Sequence, residues 1–296
     1  IMRYRVVDKP EHAWGARVAV FAAEEQDGRL VNAKNLAGIP ESEWPKYGSR
    51  YLVVTQEQTG PSGWMAGFAY VDLLRPQVTK AFLETTHEQY FKHFGADFGT
   101  NVPALFTDEP SLSQCGGGAL PFSYWLAHEF KKRCGYDLLK NLPCVYENVE
   151  GDCFDYPPEK VRFDYFDTLH DLWTRNALEV TGKWCAEHNI NWTGHYLEHQ
   201  WPFVNGNVSP AMQSNYEYHQ WPAIDMLLST YLRDRPTHSL THTIRELKSA
   251  SNQFGKERTL CELYGAGGWD STFEDYKRMA DWVLVNGVNF INQHLT

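Results

Sequence analysis

Thr259-Leu260-Cys261-Glu262-Leu263, followed by Ser271-Thr272-Phe273-Glu274 and then Gly287-Val288-Asn289-Phe290-Ile291-Asn292-Gln293-His294, is the stretch that decides the fold. A short apolar run with turn residues after it predicts a buried strand over 259–263. Ser271 and Glu274 have the S-x-x-E spacing of a capping box, so a helix opens there and stops before Gly287. The apolar run at 288–294 is the next strand. Strand, helix and strand in this order form one βα unit of a parallel sheet, with Glu262, Asn292 and His294 near the strand ends.

The same pattern recurs toward the N-terminus. An apolar piece at 223–228 precedes a helix over 240–254 that Gly255 closes. The longest helical periodicity, 158–188, carries Phe166, Leu169, Trp173, Val180 and Trp184 at steps of three and four and leads into a strand at 191–197. A strand at 103–107 is followed by a glycine loop at 116–118 and a helix from about 121 to Gly135. Pro76 fits the first turn of a helix, with Val78, Phe82, Tyr90 and Phe94 as an apolar stripe ending near Gly95.

Strands beginning near 103, 191, 223, 259 and 288 give five consecutive βα-type units. Closed barrels and doubly wound sheets share this alternation. The fold class expected is α/β of the (β/α)8 TIM-barrel type, with only the C-terminal part of the barrel present, because five strands do not close an eight-stranded barrel. The missing strands would lie upstream of residue 1 or come from the N-terminal segment. That segment reads differently: 16–22 and 51–57 are strands separated by turn-rich sequence, a hairpin-like excursion. The expected division is therefore 1–75 and 76–296.

Composition narrows the function. The chain has 296 residues and a formal net charge of −10, with both signs mixed along it, so it lacks the basic stripe that a nucleic-acid partner needs. It has no run of about 18 apolar residues, so no membrane-spanning helix is expected. The glycines at 116–118 are not followed by Lys-Ser/Thr, which argues against a phosphate loop. Six cysteines show no C-x-x-C pair; free buried thiols are expected, with one disulfide in the 134–153 stretch as the alternative. Aromatic content is 15%, including 11 Trp, which suits stacking against sugar rings as well as core packing.

In a barrel the reacting groups stand at strand C-termini. The residues there are Asp108 and Glu109, His195 and Glu198, Asp225, Glu262, and Asn292 with His294. Glutamates 109, 198 and 262 each follow an apolar strand, and glycoside hydrolysis needs such a set: one protonated acid for the leaving oxygen and one ionised partner. Trp201, Trp221, Tyr264 and Trp269 follow expected strand ends and could floor a sugar subsite or pin loops. Asn289 and Asn292 could bind substrate or satisfy backbone groups.

Three long motifs carry a family resemblance: Phe106-Thr107-Asp108-Glu109-Pro110-Ser111-Leu112, Thr193-Gly194-His195-Tyr196-Leu197-Glu198, and the run from Gly287 through Leu295. The stretch from Glu262 to Trp269, Thr272-Phe273-Glu274-Asp275 and Ala280-Asp281-Trp282 belong with them. From Val71 to the end the chain resembles glycoside hydrolase family 106. The resemblance implies an α-L-rhamnosidase-like barrel acting on plant or bacterial polysaccharide in the periplasm or outside the cell, with calcium helping to hold sugar hydroxyls. It implies first barrel strands that precede residue 1. It also implies roles: Glu109 as general acid, Glu262 or Glu198 as base or nucleophile, and Asp108, His195, Asp225 and His294 as binders of sugar hydroxyls or metal; Trp269 and Asn292 are substrate-binding candidates beside them.

Two other readings stay open. His195-Tyr196-Leu197-Glu198-His199 matches H-x-x-E-H, a zinc hydrolase pattern that requires a helix, although Gly194 before it and Pro202 after it oppose one. A non-catalytic carbohydrate-binding barrel would keep the aromatics without needing paired carboxylates.

Overall fold

The computed structural model describes residues 1–9, 16–112, 118–196, 212–228 and 238–294. Strands β1 (Met2–Val7), β2 (Ala16–Gln26), β3 (Arg29–Asn35) and β4 (Arg50–Gln56) come first. Helices α1 (Pro76–Phe82) and α2 (Glu88–Phe94), joined by the π-helical turn Leu83–His87, lead to β5 (Ala104–Thr107). Helices α3 (Tyr124–Cys134), α4 (Leu138–Tyr146), α5 (Pro158–Trp173) and α6 (Glu179–Glu187) precede β6 (Asn191–Gly194). Then follow α7 (Met212–Asn215), β7 (Trp221–Met226), α8 (His238–Gln253), β8 (Leu260–Leu263), α9 (Phe273–Val285) and β9 (Phe290–Gln293).

The chain forms two compact units, one of residues 1–74 and 113–172, the other of residues 75–112 and 173–296. The first unit holds an antiparallel sheet in the order β1-β4-β2-β3. The expected two-stranded excursion is thus four-stranded. Its tight hairpin joins β2 to β3 through Asp27-Gly28, both at positive φ (50° and 74°), the conformation that D-G supplies readily between right-twisted strands. Ala22, Leu36, Trp44, Tyr51 and Val53 form the sheet's core cluster. Ser123 caps α3 through a hydrogen bond from Leu126 N, and left-handed Gly135 ends it. Helix α4, capped by Asp137, adds to the sequence expectation; Pro143 inside it masks its periodicity.

The second unit holds a curled parallel half-barrel sheet of five strands in the order β5-β6-β7-β8-β9. Strand order follows chain order without the reversal that defines a doubly wound sheet. Strands β7 and β8 are buried along nearly their whole length, as parallel strands covered on both faces are.

Three local expectations change. Leu83, His87 and Thr79 are the buried face of the α1–α2 segment, whereas Phe82, Tyr90 and Phe94 are about half exposed. The π turn inserts a residue into the helical repeat and rotates the face that packs. A second π turn, Thr174–Leu178, divides the helix expected over 158–188. The capping box is built one residue later than expected: Thr272 Oγ1 accepts from Asp275 N, and Asp275 accepts from Thr272 N.

Candidate active site

Each strand of the parallel sheet delivers a polar side chain at or near its C-terminal end. Asp108 and Glu109 follow β5, His195 follows β6, Asp225 lies in β7, Glu262 and Asn292 lie in β8 and β9, and His294 follows β9. Asp225, Glu262 and Asn292 are neighbours across the sheet, because Asp225 pairs with Glu262 and Glu262 with Asn292 in register. Alternation along β5 puts Phe106 on the same face as Asp108, and its ring meets the His195 imidazole edge-on at 5.6 Å. Phe106 opens one of the sequence motifs but was given no role in the site, although period two from Asp108 identifies it.

His195 is the centre of the cluster. It is 2% exposed, and its Nε2 lies 2.8 Å from Glu262 Oε2 and 3.6 Å from Asp108 Oδ1. Its Nδ1 lies 3.9 Å from Glu109 Oε1. On the far side of Glu262, His294 Nε2 stands 3.6 Å from Oε1. Burial pulls the His195 pKa down, but the hydrogen bond with Glu262 and the charges of Asp225, Glu262 and Glu109 outweigh it and carry the imidazole above its ordinary value. The same hydrogen bond, against a smaller effect of burial, holds the Glu262 carboxyl below the usual range with help from His195 and His294. Glu262 is therefore the ionised carboxylate of the rim.

Asp225 behaves oppositely. Burial pushes its carboxyl up to about 6, with the nearby carboxylates of Glu262 and Asp108 adding to the rise and the two histidines opposing it. Its Oδ1 is buried without a hydrogen-bond partner among the described residues. Two carboxyls facing each other across adjacent strands thus prefer different protonation states, the separation from which acid and base roles are made.

The backbone of the rim is bent to hold these groups. Glu109 has φ 44°, and Tyr264 and Ala266, just after β8, have φ 83° and 55°. Left-handed non-glycine residues are uncommon, and their concentration where the polar side chains emerge is typical of functional loops. Gly194 (φ 134°) permits the approach of β6 to β5: a Cβ there would stand 2.0 Å from Thr107 O.

Other expected residues sort by position. Trp269 is completely exposed (104%) on the loop after β8, and Asn292 is exposed in β9. Trp221 does not follow a strand end; it opens β7 at the opposite edge, where its ring meets Phe290 at 5.8 Å under Arg258. Tyr264 packs on Tyr276. Asn289 is a backbone tie: its Oδ1 accepts from Thr259 N at 2.9 Å and its Nδ2 donates to Glu257 O at 2.7 Å. Glu198, His199 and Trp201 lie outside the described residues. The helix that H-x-x-E-H requires is absent at its first member, because His195 directly follows β6 in non-helical chain and is bonded to Glu262. Cys134, Cys144, Cys153, Cys185 and Cys261 are free thiols.

One metal-sized group exists among the described residues: Asp108, Glu109 and His195 bring a ligand atom each within 4.8 Å of one another. Calcium takes about six to eight oxygen ligands. This trio offers a nitrogen as its third donor, on a ring already bonded to Glu262, and does not fit calcium. Among the described residues, no helix is long and apolar enough to cross a membrane.

Comparison with known proteins bears on this geometry. Residues 50–296 match the family Glyco_hydro_106, alpha-L-rhamnosidase. No curated protein matches the chain. Among solved structures it is similar to a rhamnosidase from Novosphingobium sp. PP1Y, with a TM-score of 0.61 and 20% identity over 83% of this chain. The match covers 23% of that protein's length, and the likeness is one of fold.

Proposed function

The chain belongs to the family Glyco_hydro_106, and on that premise we propose that it contributes the catalytic rim of an α-L-rhamnosidase-like glycosidase whose parallel strands are part of a (β/α)8 barrel. The observation that carries this reading is the charge pattern around His195: an ionised Glu262, with Asp108 beside it, at Nε2 and Glu109 at Nδ1. Glu109 is the general acid, giving its proton to the glycosidic oxygen as the bond to the anomeric carbon breaks. Glu262 is the ionised partner that activates water or attacks the anomeric carbon. Glu198 is the other candidate for that role.

Asp225, with an unpartnered buried oxygen, and His294 and Asn292 contact sugar hydroxyls, and Trp269 offers a flat face to a ring. A polysaccharide substrate suits an enzyme of the periplasm or the cell exterior.

The test is hydrolysis of an aryl α-L-rhamnoside and of rhamnose-containing pectin by the wild-type chain, Glu109→Gln and Glu262→Gln. Each variant should lose about 100-fold or more in kcat while sugar binding persists. Full activity in Glu109→Gln removes it as the acid; sugar binding without cleavage by the wild type favours a binding role.

A further inference from the structure

Behind the rim, on the face of the sheet turned away from His195, lies a buried polar cluster that the proposed chemistry does not use. Trp192 in β6 donates its indole N–H to Thr107 Oγ1 at 2.8 Å. Thr107 is the last residue of β5 and directly precedes Asp108 and Glu109. The Trp192 ring stacks on His219 with centroids 3.9 Å apart and planes inclined by 21°. Its backbone N–H donates to Gln220 Oε1 at 2.8 Å, and Gln220 Nε2 donates in turn to Gly182 O in α6 at 3.3 Å. His219 Nε2 lies 2.5 Å from the hydroxyl of Tyr196, the residue after His195.

We propose that Trp192 is a positioning residue for the β5 rim: held by His219 and Gln220, it fixes Thr107 and so sets where Asp108 and Glu109 stand relative to His195 and Glu262. This rests on the function proposed above.

A buried indole N–H needs an acceptor. Here the acceptor is a side-chain hydroxyl one residue from the rim, not a backbone carbonyl, so the bond restrains the chain where it turns into left-handed Glu109. The strands are in register there, Thr107 with Gly194, and the glycine removes any side chain that could hold the two apart. His219 is suited to a fixed role: burial, with Lys256 and His195 adding to it, drives its pKa down to about 3, so the ring stays neutral and its stacking is insensitive to pH in the working range. Because Tyr196 meets the same ring, one cluster references the ends of both β5 and β6.

The experiment compares Thr107→Val, Thr107→Ser, Trp192→Phe and the Thr107→Val/Trp192→Phe double variant in the full chain. Two quantities are read: kcat and KM on an aryl α-L-rhamnoside, and the His195 imidazole pKa by NMR titration, assigned with His195→Gln. Loss of the bond should lower kcat about 10- to 100-fold, since small misplacements of reacting groups are costly, with KM within about threefold. Thr107→Ser should stay near wild type, and the double variant should be no worse than either single one. As Glu109 drifts from His195, the imidazole pKa should fall by about half a unit in Thr107→Val. Equal losses in Thr107→Val and Thr107→Ser, or an unchanged His195 pKa in folded Thr107→Val, would overturn the inference. If the wild type cleaves no rhamnoside, the function proposed above fails, and the His195 titration still decides this one. Should Thr107→Val not fold, Trp192→Phe carries both readings.

Discussion

The two sheets handle charge in opposite ways. On the antiparallel sheet, opposite charges meet near solvent: Glu57 accepts from Arg3 at 2.6 Å and meets Arg5 at 3.4 Å, while Arg50 reaches Asp8 at 2.5 Å and Glu25 at 3.4 Å. On the parallel sheet, carboxyls of Asp108, Glu109, Asp225 and Glu262 crowd around a buried His195, and one of them is driven toward its protonated form. The first arrangement tolerates loss of a member, because exposed pairs contribute little. The second is unfavourable as packing and is explained by chemistry, where proton affinities must differ between neighbours.

The contrast breaks most visibly if the strands that gather those carboxyls cannot approach. Gly194→Ala places a methyl against Thr107 O at a backbone angle that side chains avoid. It should cost about 3–5 kcal/mol in denaturant unfolding; a loss under about 1 kcal/mol would mean that β5 and β6 separate easily and that the rim is not tightly set.

Asp225→Asn sharpens the comparison. A carboxyl whose folded pKa, about 6, exceeds its unfolded value near 3.9 penalises the fold once it ionises, so wild-type stability falls as pH rises from about 4 through 6. The variant should be more stable than wild type at pH 8, by on the order of 1–3 kcal/mol, and the gain should vanish near pH 4. A gain independent of pH would show that burial of the charge is not its source.

The smallest effect belongs to the antiparallel sheet. Glu57→Gln should change stability by no more than about 1 kcal/mol, and less in high salt. A larger loss would give these pairs the same weight as the buried cluster and erase the distinction.

The sequence exposed the parallel half of the fold because its signals are local: apolar runs, Gly255 as a helix stop, a cap before α9. Strands β1 and β3 escaped because Arg3 and Arg5 interrupt one, and Asn32, left-handed at φ 54°, and Lys34 interrupt the other; Asp27-Gly28 was the available hairpin signal. The exposed Phe82 and Phe94 show the limit of periodicity, since a π turn changes the phase without a mark in composition. Rim residues were legible as polar groups after apolar strands. Which of them touch was not, because the meeting of His195 with Glu262 depends on stagger between strands 67 residues apart in sequence. Trp192 and His219 look in sequence like any buried aromatics.

Glu109 sits in a left-handed conformation that costs a glutamate roughly 1–2 kcal/mol and asparagine or glycine less. A library at this position screened only for heat resistance should therefore enrich Asn and Gly, and the same library screened for turnover should return Glu, so that the two selections pull one codon in opposite directions.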